Sequence, residues 1–185
     1  MGLLSIFRKF STSKREETKI LLLGLESAGK SSCLAFLCNE DLAKIVPTRG
    51  FIIKSLLHDG YRLNIWDVGG QRSLRPYWIN CITRADALIY VVDSTDRDRH
   101  KEAANELSQL LAEQRFIGVP LLVFANKQDL LNALSAAELL KVLELSSVVD
   151  RSIFVQPCSG KFGDGTNEGM EWIMDQLNNG MIERR

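Results

Sequence analysis

Eight consecutive residues constrain this chain more than any other stretch: Gly24-Leu25-Glu26-Ser27-Ala28-Gly29-Lys30-Ser31 fits the pattern G-x-x-x-x-G-K-[ST]. The apolar run before it (20–24) reads as a buried strand, and residues 30–37 after it read as a helix. A strand, a glycine-bearing turn and a helix in that order make an anion site. Glycines let the backbone approach a phosphate, successive N–H groups of Gly24 to Gly29 form a nest around it, and the helix turns its positive end to the same point. In this pattern Lys30 reaches the outer phosphates of a nucleoside triphosphate, and the Ser31 hydroxyl ligates Mg²⁺. Average residue usage supplies such a match by chance in about 1% of chains this long.

The remainder of the chain fits that start. At 185 residues it is about one domain long. Short apolar runs at 51–57, 61–67, 87–93, 121–126 and 153–158 read as further strands, the first two joined through His58-Asp59-Gly60, a hairpin signal. Helical patterns lie between them at 99–113, 136–143 and 166–177. Leu139, Leu140 and Leu143 share one face of the second, and Met170, Ile173, Met174 and Leu177 share one of the third. Strands alternating with helices predict an α/β domain with a mostly parallel sheet, one antiparallel edge strand and helices on both faces. Its ligand then sits beyond the C-terminal strand ends.

Composition excludes other classes. Lys plus Arg and Asp plus Glu both number 23, so the net charge is zero and no global field favours nucleic acid. Cys33, Cys38, Cys81 and Cys158 form no C-x-x-C pair and read as reduced thiols of a cytoplasmic protein. No apolar run reaches the ~18 residues of a membrane span.

Three downstream motifs narrow the ligand. The second strand of the hairpin ends Trp66-Asp67-Val68-Gly69-Gly70-Gln71. Asp67 is placed to hold the hydration shell of Mg²⁺. Gly69 and Gly70 let a backbone N–H point at a γ-phosphate, and Gln71 then orients an attacking water. Asn126-Lys127-Gln128-Asp129 follows the strand 121–126 directly. The Asp129 carboxylate can accept two hydrogen bonds from a purine carrying N1–H and a 2-amino group, which guanine has and adenine lacks. Asn126 bonds the base and braces the phosphate loop, and the Lys127 stem lies on the ring. A backbone N–H of the Cys158-Ser159-Gly160 turn, that of Gly160, is expected at guanine O6. Thr48, in Pro47-Thr48-Arg49-Gly50-Phe51, offers a hydroxyl to Mg²⁺ and an N–H to the γ-phosphate. Losing that phosphate would free its loop, an order–disorder switch. A small-molecule kinase on the same loop would need an Arg-rich lid, and no such insertion is present.

These residues, in this order, resemble the Ras-like small GTPases, and the phosphate loop, Pro47–Phe51, Trp66–Gln71 with Arg72 and Arg75-Pro76-Tyr77-Trp78, and Val92-Asp93-Ser94 look like the Arf family within them. The resemblance covers the whole chain. It implies a six-stranded sheet, GTP or GDP with Mg²⁺, slow intrinsic hydrolysis, an exchange factor and an activating protein. It adds Glu26, Ser27, Ala28, Ser32 and Ser159 to the nucleotide contacts. It also implies effectors that bind the GTP form only, in this branch β-sandwich carriers that release lipidated cargo, often toward cilia. The alternative within the family is a coat-recruiting Arf. No Arg lies in the phosphate loop, so slow turnover without an activating protein is expected, since an arginine finger is worth ~10³–10⁵ in rate. The chain departs from the family at Ser31-Ser32 (usually Thr-Thr), at Glu26-Ser27 (expected to matter little), at Gly160 (usually Ala) and at Ile52, an apolar residue bearing on effector choice.

The first ten residues are set apart by the polar run 11–18, which gives a division into 1–18, helix and linker, and 19–185, the nucleotide-binding domain. Leu3, Leu4, Phe7 and Phe10 share one helical face, the mark of a short amphipathic helix able to touch a membrane weakly and reversibly. Gly2 invites myristoylation, but position 6 is Ile where Ser or Thr is wanted, so no myristate is expected. A cytoplasmic monomer, visiting cilia or a membrane surface, is the resulting expectation.

Overall fold

The computed structural model describes residues 17–58, 61–81 and 85–183. Six strands alternate with helices: β1 (Glu17–Leu23), α1 (Lys30–Leu37), β2 (Phe51–His58), β3 (Tyr61–Val68), α2 (Trp78–Cys81), β4 (Ala87–Asp93), α3 (His100–Leu111), β5 (Leu121–Asn126), α4 (Ala136–Val142), β6 (Ile153–Pro157) and α5 (Thr166–Glu183). They form one sheet in the order β2-β3-β1-β4-β5-β6. Only β2 runs antiparallel, pairing with β3 from Phe51↔Val68 to His58↔Tyr61; the other four pairings are parallel. The expected mostly parallel sheet with an antiparallel edge is therefore the observed one.

The continuous apolar strands are covered on both sides, as their composition requires. Alternate residues of β1, β4 and β5 face opposite ways. Leu21, Leu23, Leu88, Tyr90, Val92, Leu121 and Val123 pack with Ala103, Leu107 and Leu110 of α3 and Leu139 of α4. Ile20, Leu22, Ala87, Ile89, Val91, Leu122 and Phe124 pack on the other face with Leu34 of α1 and Met170, Ile173, Met174 and Leu177 of α5. In a parallel sheet all C-terminal strand ends point one way. Gly24, Gly69, Asp93, Asn126 and Cys158 thereby arrive on one rim.

The boundaries differ from the sequence reading in physically simple ways. Glu17 and Thr18, assigned to the polar linker, belong to β1, because their backbone pairs with Arg62 and Leu63 of β3 and strand pairing does not require apolar side chains. Arg97–Arg99 forms a separate 3-10 turn ahead of α3. Helix α5 continues past Leu177 to Glu183. The four-residue α2 follows a Pro-bearing 3-10 turn at Arg75–Tyr77 and is too short to show a period. Leu140 is half-buried while Leu139 and Leu143 are buried. The hairpin tip at 59–60 and the amphipathic helix and linker expected at 1–16 lie outside the described residues. No described helix is long and apolar enough to cross a membrane.

Phe124 ties the central strand to α5: its ring is fully buried, and a Cβ on Gly169 of α5 would lie 2.4 Å from it. Phe124→Ala is expected to cost about 3–5 kcal/mol. Urea unfolding followed by circular dichroism should show a lowered midpoint with an unchanged slope.

Candidate functional site

The phosphate loop exists because two of its glycines sit where a side chain has no room. Gly24 has φ +139°, and a Cβ there would lie 2.2 Å from the Val91 carbonyl oxygen of β4. Gly29 has φ +93°, and its Cβ would meet the Asn126 amide nitrogen at 2.2 Å. Ser27 is also left-handed, at φ +63°. Gly29 caps α1 without a side-chain hydrogen bond, and no acidic residue occupies the first turn. The positive helix end is left without a carboxylate of its own.

Lys30 is only 6% exposed. Its Nζ donates to the carbonyls of Gly24 and Leu25, both at 2.9 Å, so the ammonium folds back across the loop. Burial pushes its pKa down to about 8, against the pull of the Asp67 and Glu26 carboxylates. A cation held in that position is suited to an anion, whose charge offsets the cost of its desolvation.

The three oxygens expected to meet a metal come together from three separate segments. Ser31 Oγ on α1 donates to Asp67 Oδ2 at 2.6 Å. Thr48 Oγ1, from the loop before β2, donates to the same oxygen at 3.2 Å and lies 3.1 Å from Ser31 Oγ. The other carboxylate oxygen, Asp67 Oδ1, is buried without a hydrogen-bond partner. Burial raises the Asp67 carboxyl pKa, opposed first by the Ser31 hydrogen bond and then by the Lys30 charge. Two hydroxyls and a carboxylate with an unsatisfied buried lone pair form a hard-oxygen donor set that suits Mg²⁺ and not a thiolate-seeking metal.

Gly69 and Gly70 cross directly over the loop. Gly69 N–H donates to the Gly50 carbonyl at 2.8 Å, and Gly70 O accepts from Glu26 N–H at 3.2 Å. A Cβ on Gly70 would fall 2.3 Å from Gly24 O and 2.4 Å from Glu26 N, so no other residue passes here. Gln71 follows with an exposed side chain.

On the opposite side, Asn126 is the keystone. Its Nδ2 donates to Ala28 O at 2.8 Å, the expected brace to the phosphate loop. Its Oδ1 accepts from Gly160 N–H at 2.8 Å. The Gly160 N–H, expected at guanine O6, is thus engaged with Asn126, because the two loops close on each other. Ser159 Oγ donates to Asp129 Oδ1 at 2.8 Å and holds that carboxylate at the rim. Lys127, left-handed at φ +67°, pairs with Asp93 at the end of β4. Ser32 sits on α1 under Gly160, whose added Cβ would meet the Ser32 Cβ at 3.3 Å.

Sequence reasoning missed an ionic cluster beside Gly70. Arg75 pairs with Glu26, Glu102 and Glu106, and Arg99 pairs with Glu26 and Glu102. Glu26, expected to matter little, is the cluster's foothold in the phosphate loop. The available signal was weak: Glu102 and Glu106 lie four apart on α3, a spacing shared by ordinary solvent-facing helices.

The model of the ADP-ribosylation factor family matches residues 3–177. The chain is 54% identical over 177 residues to ADP-ribosylation factor-like protein 3 of Chlamydomonas reinhardtii, covering 96% of this chain and 99% of that one. It is 44% identical over 178 residues to the protein of that name from Caenorhabditis elegans, covering 96% and 97%. Among solved structures it is similar to the Arl6 BBS3 small GTPase of Trypanosoma brucei with bound nucleotide analogue GppNp. That match has a TM-score of 0.83 and 27% identity, covering 89% of this chain and 99% of that one.

The buried ammonium is a cost the fold bears for its ligand. Lys30→Met is expected to leave the nucleotide-free protein at least as stable as the parent, by thermal unfolding, while binding of nucleotide triphosphate by calorimetry is lost.

Proposed function

The chain belongs to the ADP-ribosylation factor family of small GTPases, and from that premise we propose that its GTP-bound form engages β-sandwich carriers and releases their lipid-modified cargo. The coarser activity belongs to the family: GTP is bound with Mg²⁺ and hydrolysed to GDP and phosphate. The observation that carries a switching function is the meeting of Ser31, Thr48 and Asp67 around one unsatisfied carboxylate oxygen. It joins the phosphate loop, the segment before β2 and the end of β3 at one point.

In this reading the residues divide the work. The N–H groups of residues 24–29 and the Lys30 ammonium receive the β- and γ-phosphates. Ser31, Thr48 and Asp67 would hold Mg²⁺, which supplies charge neutralisation on the phosphate oxygens. The Thr48 and Gly70 N–H groups face the γ-phosphate and lose their partner once it leaves. Gln71 orients the attacking water. Asp129 accepts from the guanine N1–H and 2-amino group, and Ser159 keeps its carboxylate aimed. Arg75 and Arg99, the two arginines beside the Gly70 turn, are engaged with carboxylates, and the phosphate loop itself holds no arginine to neutralise the transferred phosphoryl. Slow hydrolysis that an activating protein accelerates follows.

The carrier reading is supported by what lies next to the phosphate-sensing segments. Phe51, Ile52, Ile53 and Leu57 of β2 are exposed, as are Tyr77 and Ile79. Strand β2 is a sheet edge, and an apolar edge accepts a further strand from a β-rich partner. Ile52, the departure from the family noted in the sequence, is on this edge. A cytoplasmic monomer whose first ten residues touch membranes transiently completes the reading.

Three outcomes test it. Gln71→Leu should retain GTP through an incubation that converts the wild type to GDP, read by chromatography of bound nucleotide; turnover at the wild-type rate under an activating protein would remove Gln71 from the mechanism. Asp129→Asn should reverse base preference toward xanthine nucleotides, by competition binding. Loaded with a non-hydrolysable GTP analogue, the protein should displace a fluorescent prenyl-peptide from a β-sandwich carrier, and with GDP it should not; recruitment of coat protein to vesicles instead would favour the coat-recruiting alternative.

A further inference from the structure

Two successive peptide planes at the γ-phosphate end of the site are held by side chains from the segment that follows them. The Trp78 indole Nε1 donates to Gly69 O at 3.0 Å. That carbonyl shares a rigid plane with the Gly70 N–H, so the indole fixes where this N–H points. The Arg75 Nε donates to Gly70 O at 3.0 Å, and this carbonyl shares its plane with the Gln71 N–H. That plane fixes the Gln71 N–H and the position of its Cα, from which the side chain leaves the backbone.

Arg75 is itself over-determined. Its side chain is 4% exposed. Nη1 donates to Glu102 Oε1 at 2.9 Å and to Glu106 Oε1 at 3.0 Å, and Nη2 donates to Glu26 Oε2 at 3.2 Å. Four of its five N–H donors are therefore engaged. Glu102 is gripped in turn by Arg99 and Arg72, and Glu26 by Arg99. The Arg99 and Arg75 hydrogen bonds hold the Glu102 carboxyl down at about 2, so it remains ionised. The guanidinium links the phosphate loop, the Gly70 turn and α3, and nearly all of its donors are committed to them.

We infer that Arg75 is a positioning residue for hydrolysis: by clamping the Gly70 carbonyl between the phosphate loop and α3, it aims Gln71 at the attacking water without touching the nucleotide. This rests on the GTPase reading above. A lysine retains the charge and can satisfy a carboxylate, but it cannot grip three carboxylates and a carbonyl with one planar fork.

The test is single-turnover hydrolysis of GTP by Arg75→Lys, alone and combined with Gln71→Leu. Arg75→Lys should slow hydrolysis about 10-fold, the loss of one charge-assisted hydrogen bond, while GDP affinity stays within about 2-fold. In the Gln71→Leu background the same substitution should add no further slowing, because the residue acts through Gln71. Glu26→Gln, which preserves shape and weakens the grip from the phosphate loop, should slow hydrolysis in the same direction and answers the question if the lysine variant does not fold. The inference is overturned if hydrolysis stays at the wild-type rate, if it falls only in proportion to GDP affinity, or if the two substitutions multiply. Absence of GTP hydrolysis in the wild type would instead overturn the GTPase reading.

Discussion

The burial of one ammonium governs the rest of this molecule. Lys30 is taken almost wholly out of water and satisfied by two carbonyl oxygens of its own loop, with no carboxylate in direct contact. Desolvating a cation without a paired anion is among the costlier acts in protein folding. The chain tolerates it because the loop is shaped by constraints that no single residue could impose. Gly24 must pass against β4, Gly29 against Asn126, and Gly70 against Gly24 and Glu26. Each contact exists only because a parallel sheet delivers the C-terminal ends of β1, β3, β4 and β5 to the same rim. The anion site is thus a product of the whole sheet and not of the loop alone.

Much of this was legible in the residues. The phosphate loop, Asp67, Thr48 and the Asn126–Asp129 tetrapeptide announce themselves because their chemistry depends on local spacing, and the strands because they are short, apolar and bounded by turns. What escaped depends on contacts made at long range. Arg75 meets Glu26 across 49 positions and Glu102 across 27. A lone glutamate in a loop and two glutamates on a helix carry no mark of that meeting. The Gly160 N–H is a similar case: its engagement with Asn126 follows from how two loops close, which spacing does not encode. Glu17 and Thr18 were lost to the linker for the opposite reason, since backbone pairing recruits residues whose side chains say nothing of a strand.

The two halves of the site are built to different standards of rigidity. On the base side, all six residues of β5, Asn126 included, are buried, as are Cys158 and Ser159. On the phosphate-sensing side, β2 has no buried residue at all and is held to the sheet along one edge. Local stability follows burial and backbone pairing, so the first half resists opening while the second lies near the low end of the molecule's stability. A switch requires this asymmetry. The part that keeps the nucleotide must survive loss of the third phosphate, and the part that reports the phosphate must not.

The Arg75 cluster sits on the boundary between those halves, and its composition explains how a marginal segment is held in one arrangement. Each carboxylate in it belongs to a rigid element: Glu26 to the loop fixed by Asn126 and β4, Glu102 and Glu106 to α3, which packs against the buried face of the sheet. The Arg75 guanidinium, in contrast, comes from the segment that must respond to the phosphate. Ionic contacts suit this task better than apolar packing, because a planar fork has few acceptable geometries whereas a hydrophobic side chain tolerates many. Orientation of the Gly70 and Gln71 peptides, the property that hydrolysis demands, is therefore assigned to the one kind of contact that specifies direction as well as proximity.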